Sequence, residues 1–320
     1  MSRLADQLMA CRTAAELYRL LIKVECDDVP AEIAAALRAD YPLPADVRSW
    51  LGKMRTMMFS QADAVQPYWR RRISANVALY STREAQEPRD LLIAFCGLSD
   101  RLQAPLPVIL QHIDGARFDV LVLRDPTKRI YLRGVPGYGD DAALVAESIR
   151  RDMDLRRYRS VRAFGTSGGG WVAFTVGALL GAERAISLSG MPPTATFRLS
   201  QAWGALGYSL DEQEADFAVF ERIFNAIPDR STPLLAIYGG AFEQDRLGAE
   251  GFEKLVGATG IGFEGVDSHN LLARIMRRNL LRSFFDRYFL GDLDRIVPPP
   301  GQRMVPMECL EEPLQPVPTP

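Results

Sequence analysis

The stretch Phe164–Gly181, FGTSGGGWVAFTVGALLG, decides the fold. Ser167 is followed directly by Gly168, Gly169 and Gly170, and an apolar run starts at Trp171. Glycines at the start of a helix cost about 0.5–1 kcal/mol each relative to alanine, so they need a reason. Three readings compete: a phosphate cradle, a tight structural turn, and a serine held up to react. A Walker loop ends in Lys-Ser or Lys-Thr, and the chain contains neither pair. The glycine spacing also fails the Gly-x-Gly-x-x-Gly dinucleotide pattern. The segment 160–164, SVRAF, reads as a strand, and GWVAFTVGALLG reads as a helix closing at Gly181. A strand–Gly-x-Ser-x-Gly–helix turn is sharp enough to strain the serine backbone and to lift its hydroxyl at the carboxyl edge of a sheet. Gly165 and Gly169 must then be small, because strand and helix backbones pass close there.

Outward from this turn, short apolar runs recur: DLLIAFCG (90–97), FDVLVLRD (118–125), RAISLSG (184–190), PLLAIYGG (233–240) and IGFEGVD (261–267). Helical patterns lie between them, such as DDAALVAESIRRDM (140–153). This alternation predicts a doubly wound α/β domain around a mainly parallel sheet. Residues 1–72 read as a helical N-terminal extension and 73–292 as the α/β core. Residues 191–230 form a long connection, read as a short helical cap insertion, with a longer crossover helix as the alternative. HNLLARIMRRNLLRSFFDRYFL (269–290) reads as one long final helix. The Pro-rich segment 293–320 reads as an extended or disordered tail.

A serine hydroxyl needs a base to take its proton. The chain offers two histidines. His112 sits late in a helix that Gly115 ends, where a solvated, helix-end role is the plainer reading. His269 follows the last strand run, GFEGVD, and precedes the final long helix, which puts it at the same sheet edge as Ser167. An imidazole base needs a carboxylate to fix its tautomer. The loop after PLLAIYGG supplies Glu243 and Asp245; Asp245 is favoured, and Glu243 stays as the alternative acid. The chain order is serine, acid, histidine.

With GTSGG, YGGAFEQD and DSHN in these positions, residues 73–292 resemble the α/β-hydrolase superfamily. The resemblance implies an oxyanion hole built from the backbone N–H of Gly168 and that of Leu98 in AFCGLSD. Cys96-Gly97 stands where the family often has His-Gly, which changes a side chain but not the amide. The acid loop lacks the common Gly-x-x-Asp spacing. The implied activity is hydrolysis of an ester or thioester through an acyl-enzyme, with no cofactor. Acyl transfer by the same triad and a non-catalytic binding protein of this fold are the alternatives.

Composition narrows the rest. A net charge of −2 and a pI of about 5.9 offer no basic footprint for nucleic acid or for an anionic membrane surface. Four scattered cysteines and two histidines make a disulfide framework or an imidazole metal site a poor fit. The N-terminal residues lack an uninterrupted apolar stretch, so a cytoplasmic protein with a small-molecule acyl substrate is expected. The arginine-rich run 150–162 could grip an anionic substrate, but a solvated helix face is the plainer reading.

Overall fold

A computed structural model of the chain describes residues 3–38, 42–60, 64–82, 88–192, 209–227, 231–299 and 302–312. The strands are β1 (Trp69–Arg72), β2 (Val77–Ser81), β3 (Arg89–Phe95), β4 (Phe118–Leu123), β5 (Tyr158–Thr166), β6 (Arg184–Leu188), β7 (Leu234–Gly239), β8 (Thr259–Phe263) and β9 (Met304–Val305). Among the described residues they form one sheet in the order β1-β2-β4-β3-β5-β6-β7-β8-β9. β2 runs antiparallel to both its neighbours, and every other pairing is parallel. The doubly wound, mainly parallel sheet expected from the apolar runs is therefore present.

Both faces of the sheet are covered, which is why its strands read as continuous apolar runs rather than alternating ones. On β3, Leu92 and Ala94 face one core while Leu91, Ile93 and Phe95 face the other. The first core takes the N-terminal helices α1 (Arg3–Ala10), α2 (Ala14–Asp27), α3 (Pro30–Arg38) and α4 (Ala45–Met58) together with α5 (Leu106–His112). Leu4, Val24, Ile33, Val47 and Met54 are buried there against the sheet layer. The second core takes α6 (Ala142–Asp152), α7 (Gly170–Leu180), α8 (Leu210–Asn225) and α9 (Glu243–Val256). Trp171 of α7 stacks on Phe224 of α8 and Phe252 of α9, with ring centroids 5.5 and 5.9 Å away.

Helix α8 is the described part of the long connection 191–230. It starts at a capping box, where Ser209 and Glu212 satisfy each other's backbone N–H. Phe217, Phe220 and Phe224 anchor it in the second core. Residues 193–208 and 228–230 of the expected cap lie outside the described residues.

Two expectations are corrected. The single long helix over 269–290 is instead α10 (Leu271–Arg277), α11 (Leu281–Phe285) and a π turn over Asp286–Leu290. Asn279 breaks it with φ 58°. Its N–H donates to the Met276 carbonyl and that of Leu280 to Ile275, a Schellman ending with asparagine in place of the usual glycine. The second correction concerns the tail. After α12 (Leu293–Ile296), β9 pairs with β8, and Met307 and Leu310 are buried in the first core. The segment 302–312 is therefore part of the sheet edge, not an extended tail.

The arginine-rich run has a structural use at the amino ends of the strands, the edge opposite Ser167. Arg159, Arg117, Ser160 and Arg162 converge on fully buried Asp90, with contacts of 2.7–3.1 Å. Burial alone would raise the Asp90 pKa; the hydrogen bonds from Arg159, Arg117 and Ser160 outweigh it and hold the carboxyl well below the usual range.

Candidate active site

Ser167 leaves β5 at its carboxyl end and occupies a 3-10 turn before α7. Its φ is 50°, in the left-handed region that a non-glycine residue rarely adopts. The glycines around it are required sterically. A Cβ on Gly165 would lie 2.0 Å from the Gly169 carbonyl oxygen, and one on Gly169 would lie 2.4 Å from that of Phe95. The turn read from the sequence is thus a strained serine elbow, and its bare flanks let strand and helix cross.

Asp245 lies in the first turn of α9, where the helix N-terminus favours a carboxylate. The residue is 1% exposed. Oδ1 is 2.7 Å from His269 Nδ1. Oδ2 is buried and has no hydrogen-bond partner among the described residues, so the bond to His269 is what offsets burial of the charge. A carboxylate on Nδ1 selects the tautomer with the proton there, leaving Nε2 as an acceptor. His269 Nε2 is 2.9 Å from Ser167 Oγ. One connected line of hydrogen bonds therefore runs from carboxylate to imidazole to hydroxyl.

Of the residues singled out in the sequence, the structure brings Ser167, His269 and Asp245 together. Glu243 starts α9 and is exposed, with no hydrogen bond to His269 among the described residues. His112 is not the solvated residue expected. It is 1% exposed, Nε2 is 2.8 Å from the Met57 carbonyl, and burial pushes its pKa down. Cys96 is buried, and burial pushes its thiol up to about 12, so it is a small apolar residue and not a nucleophile.

Of the two expected oxyanion residues, Leu98 packs beside Gly168, its Cγ 3.5 Å from where a Cβ on that glycine would be. Gly97 packs against the elbow: a Cβ there would lie 3.3 Å from Ser167 Cβ. The Gly97 N–H donates to the Arg101 carbonyl, closing the turn that carries Leu98. Leu98 is 37% exposed, an apolar surface beside Gly168.

Sequence reasoning missed Gln103 and Phe242. Gln103 donates from Nε2 to the His269 carbonyl at 2.9 Å and accepts the Leu272 N–H at 3.3 Å, fixing the histidine loop to the loop that follows β3. The Phe242 ring lies 6.1 Å from the His269 ring. A lone glutamine in a loop gives no sequence signal, and Phe242, though inside YGGAFEQD, is not a residue type that proton-transfer chemistry calls for. Among the described residues, no group of three or more His, Cys, Asp or Glu side chains could hold a metal ion. No helix among them is long and apolar enough to cross a membrane.

No family model matches the chain. No curated protein matches it either. Solved structures do. The 2,6-dihydroxy-pseudo-oxynicotine hydrolase aligns over 91% of this chain and 86% of its own, at 15% identity and a TM-score of 0.51. The acylaminoacyl peptidase of Pyrococcus horikoshii aligns over 72% of this chain and 43% of its own, at 12% identity and a TM-score of 0.47. A glycosylation-associated Gap123 complex from Streptococcus agalactiae aligns over 72% of this chain and 47% of its own, at 14% identity and a TM-score of 0.45. This chain thus spans less than half the length of the latter two. At such identities the likeness concerns fold alone. Sheet order, the elbow at Ser167 and the near full-length match to the first of these agree: the chain has the α/β-hydrolase fold.

Proposed function

We propose that the protein is a serine hydrolase that cleaves an ester or thioester of a small molecule through an acyl-enzyme. The observation that carries the proposal is the unbroken relay, 2.7 Å from Asp245 to His269 and 2.9 Å from His269 to Ser167. Ser167 Oγ attacks the acyl carbon while His269 Nε2 accepts its proton, and Asp245 stabilises the imidazolium. The carbonyl oxygen becomes an oxyanion held by the Leu98 and Gly168 amides, each donor being worth about 10²–10³ in rate. His269 then gives its proton to the departing alcohol or thiol. In the second half, His269 takes a proton from water as its oxygen attacks the acyl-enzyme, and the carboxylic acid and free Ser167 result. The partly exposed Leu98 supports an apolar acyl group.

Steady-state hydrolysis of p-nitrophenyl butyrate tests this. Ser167→Ala and His269→Ala should each lower kcat by about 10⁴-fold or more, with KM little changed. Asp245→Asn, which keeps the shape and inverts the tautomer preference, should cost about 10⁴-fold; Glu243→Gln should cost nothing measurable. Full activity in Ser167→Ala would reject the proposal and place the chemistry on another residue, whereas a folded wild-type protein without esterase activity would favour the non-catalytic binding role.

A further inference from the structure

We infer that loop 125–131 sets the oxyanion hole, with Asp125 and Tyr131 as positioning residues and Ile130 as the wall pressed against Gly168. The inference rests on the function proposed above. Within four residues this loop carries Lys128, Ile130 and Tyr131 at φ 60°, 48° and 63°. A β-branched residue in the left-handed region is a true outlier, and such conformations persist only where the surroundings impose them. Glycine was available to this chain, which uses Gly134 and Gly137 at positive φ a few residues later. Side chains at 130 and 131 are thus retained despite the strain.

The surroundings that impose the conformation are on hand. Asp125 is 6% exposed, and both its oxygens are used within the loop. Oδ1 accepts the Thr127 N–H at 2.9 Å and the Thr127 hydroxyl at 2.5 Å, and Oδ2 accepts the Tyr131 N–H at 2.9 Å. The outer side of the loop is clamped by helix α8, where Arg129 and Arg133 face Glu212 at 3.7 and 3.4 Å. Arg133 also meets Asp216 at 2.8 Å.

What the strained residues touch is the oxyanion hole itself, from both sides. Ile130 Cγ2 lies 2.6 Å from where a Cβ on Gly168 would be, so this methyl fills the space beside that glycine. Leu98 Cγ is 3.5 Å from the same point. The Tyr131 hydroxyl lies 2.9 Å from the carbonyls of Cys96 and Leu123, sharing its proton between them. The Cys96 carbonyl stands two residues before the Leu98 amide, at the root of the turn that presents it. Tyr131 is itself buried and meets Phe95 edge to face at 5.5 Å. One loop therefore fixes both amides: Gly168 through Ile130, and the Cys96–Leu98 turn through Tyr131. An oxyanion donor acts in the transition state and not on bound substrate, so misplacing it should lower kcat and spare KM.

The test uses the full chain and the variants Tyr131→Phe, Ile130→Val, Ile130→Ala and Asp125→Ala. Three quantities are read: kcat and KM on p-nitrophenyl butyrate, affinity for an alkyl trifluoromethyl ketone, and thermal midpoint. Tyr131→Phe and Ile130→Ala should lower kcat about tenfold or more, leave KM within twofold, and weaken trifluoromethyl ketone binding by a similar factor. Ile130→Val, which keeps the β-branch, should recover most of the rate. Should Asp125→Ala fail to fold, Tyr131→Phe decides, because it deletes a single oxygen. Wild-type kcat and ketone affinity in folded Tyr131→Phe and Ile130→Ala overturn the inference. So does a loss confined to the thermal midpoint, which marks a structural loop only. Ser167→Ala run alongside separates the two failures. If it is inactive while the loop variants are unaffected, the inference alone falls; if it is active, the proposed function falls and the inference with it.

Discussion

At the residue scale, three side chains were legible because elimination left few candidates. Only two histidines occur, and only one follows a strand run at the right sheet edge. Chain order and residue type therefore point to His269, and the flanking glycines point to Ser167. The acid was harder. Glu243 and Asp245 are two residues apart, and the choice depends on where α9 begins; the helix starts at Glu243, which turns Asp245 inward and Glu243 outward. His112 was misjudged for a related reason, since its burial comes from the Met57 carbonyl, 55 residues earlier in the chain. The elbow glycines allow a sharp expectation. Gly165→Ala places a methyl where the Gly169 carbonyl oxygen stands, 2.0 Å from the ideal Cβ. Relief requires strand and helix to separate, so the variant should be insoluble or should lose activity by at least 10²-fold. Full activity measured in a soluble Gly165→Ala protein would show that the turn is looser than described.

At the element scale, local patterning gave the strands well and the chain's final quarter poorly. Runs such as DLLIAFCG are buried on both faces and advertise themselves. The segment 269–290 is apolar at helical spacing throughout, so nothing in its periodicity announces the break. The break comes from Asn279, a residue that tolerates the left-handed region but does not demand it. The edge strand β9 was hidden by the prolines around it, at 298–300 and 306. Proline is compatible with a short edge strand, because one side of such a strand needs no partner. Leu310 separates the two accounts of this segment. It is 2% exposed in the first core, so Leu310→Ala should destabilise by about 2–5 kcal/mol in urea unfolding. A disordered tail would give no change.

At the scale of the whole molecule, two cores sandwich one sheet, and the N-terminal helices belong to the first of them. Residues 1–72 read as a separate helical extension because their pattern is helical and strand-like runs begin only at about 73. What joins them to the rest is long-range packing, which leaves no local trace. The two sheet edges divide the labour. The carboxyl edge carries the serine relay, and the amino edge is tied together by Asp90 and its cationic partners. That tie has a pH signature. The folded-state pKa of Asp90 is held below its unfolded value, so its contribution is present above about pH 4 and is lost as pH falls through the folded pKa. Asp90→Asn leaves buried Arg162 short of a countercharge and should cost about 3–5 kcal/mol near neutrality. It should also flatten the decline in urea midpoint below pH 4. An unchanged acid limb in the variant would place that decline elsewhere.

The proposed function makes Ser167 a nucleophile activated by His269 and held at a working oxyanion hole. The most direct test is reaction of the intact protein with a fluorophosphonate, followed by peptide mass spectrometry to locate the adduct. A single phosphonyl group on Ser167, absent in His269→Ala and retained in His112→Ala, is the expected result. A folded wild-type protein that takes up no label at saturating reagent, or that carries it on another residue, would contradict the account.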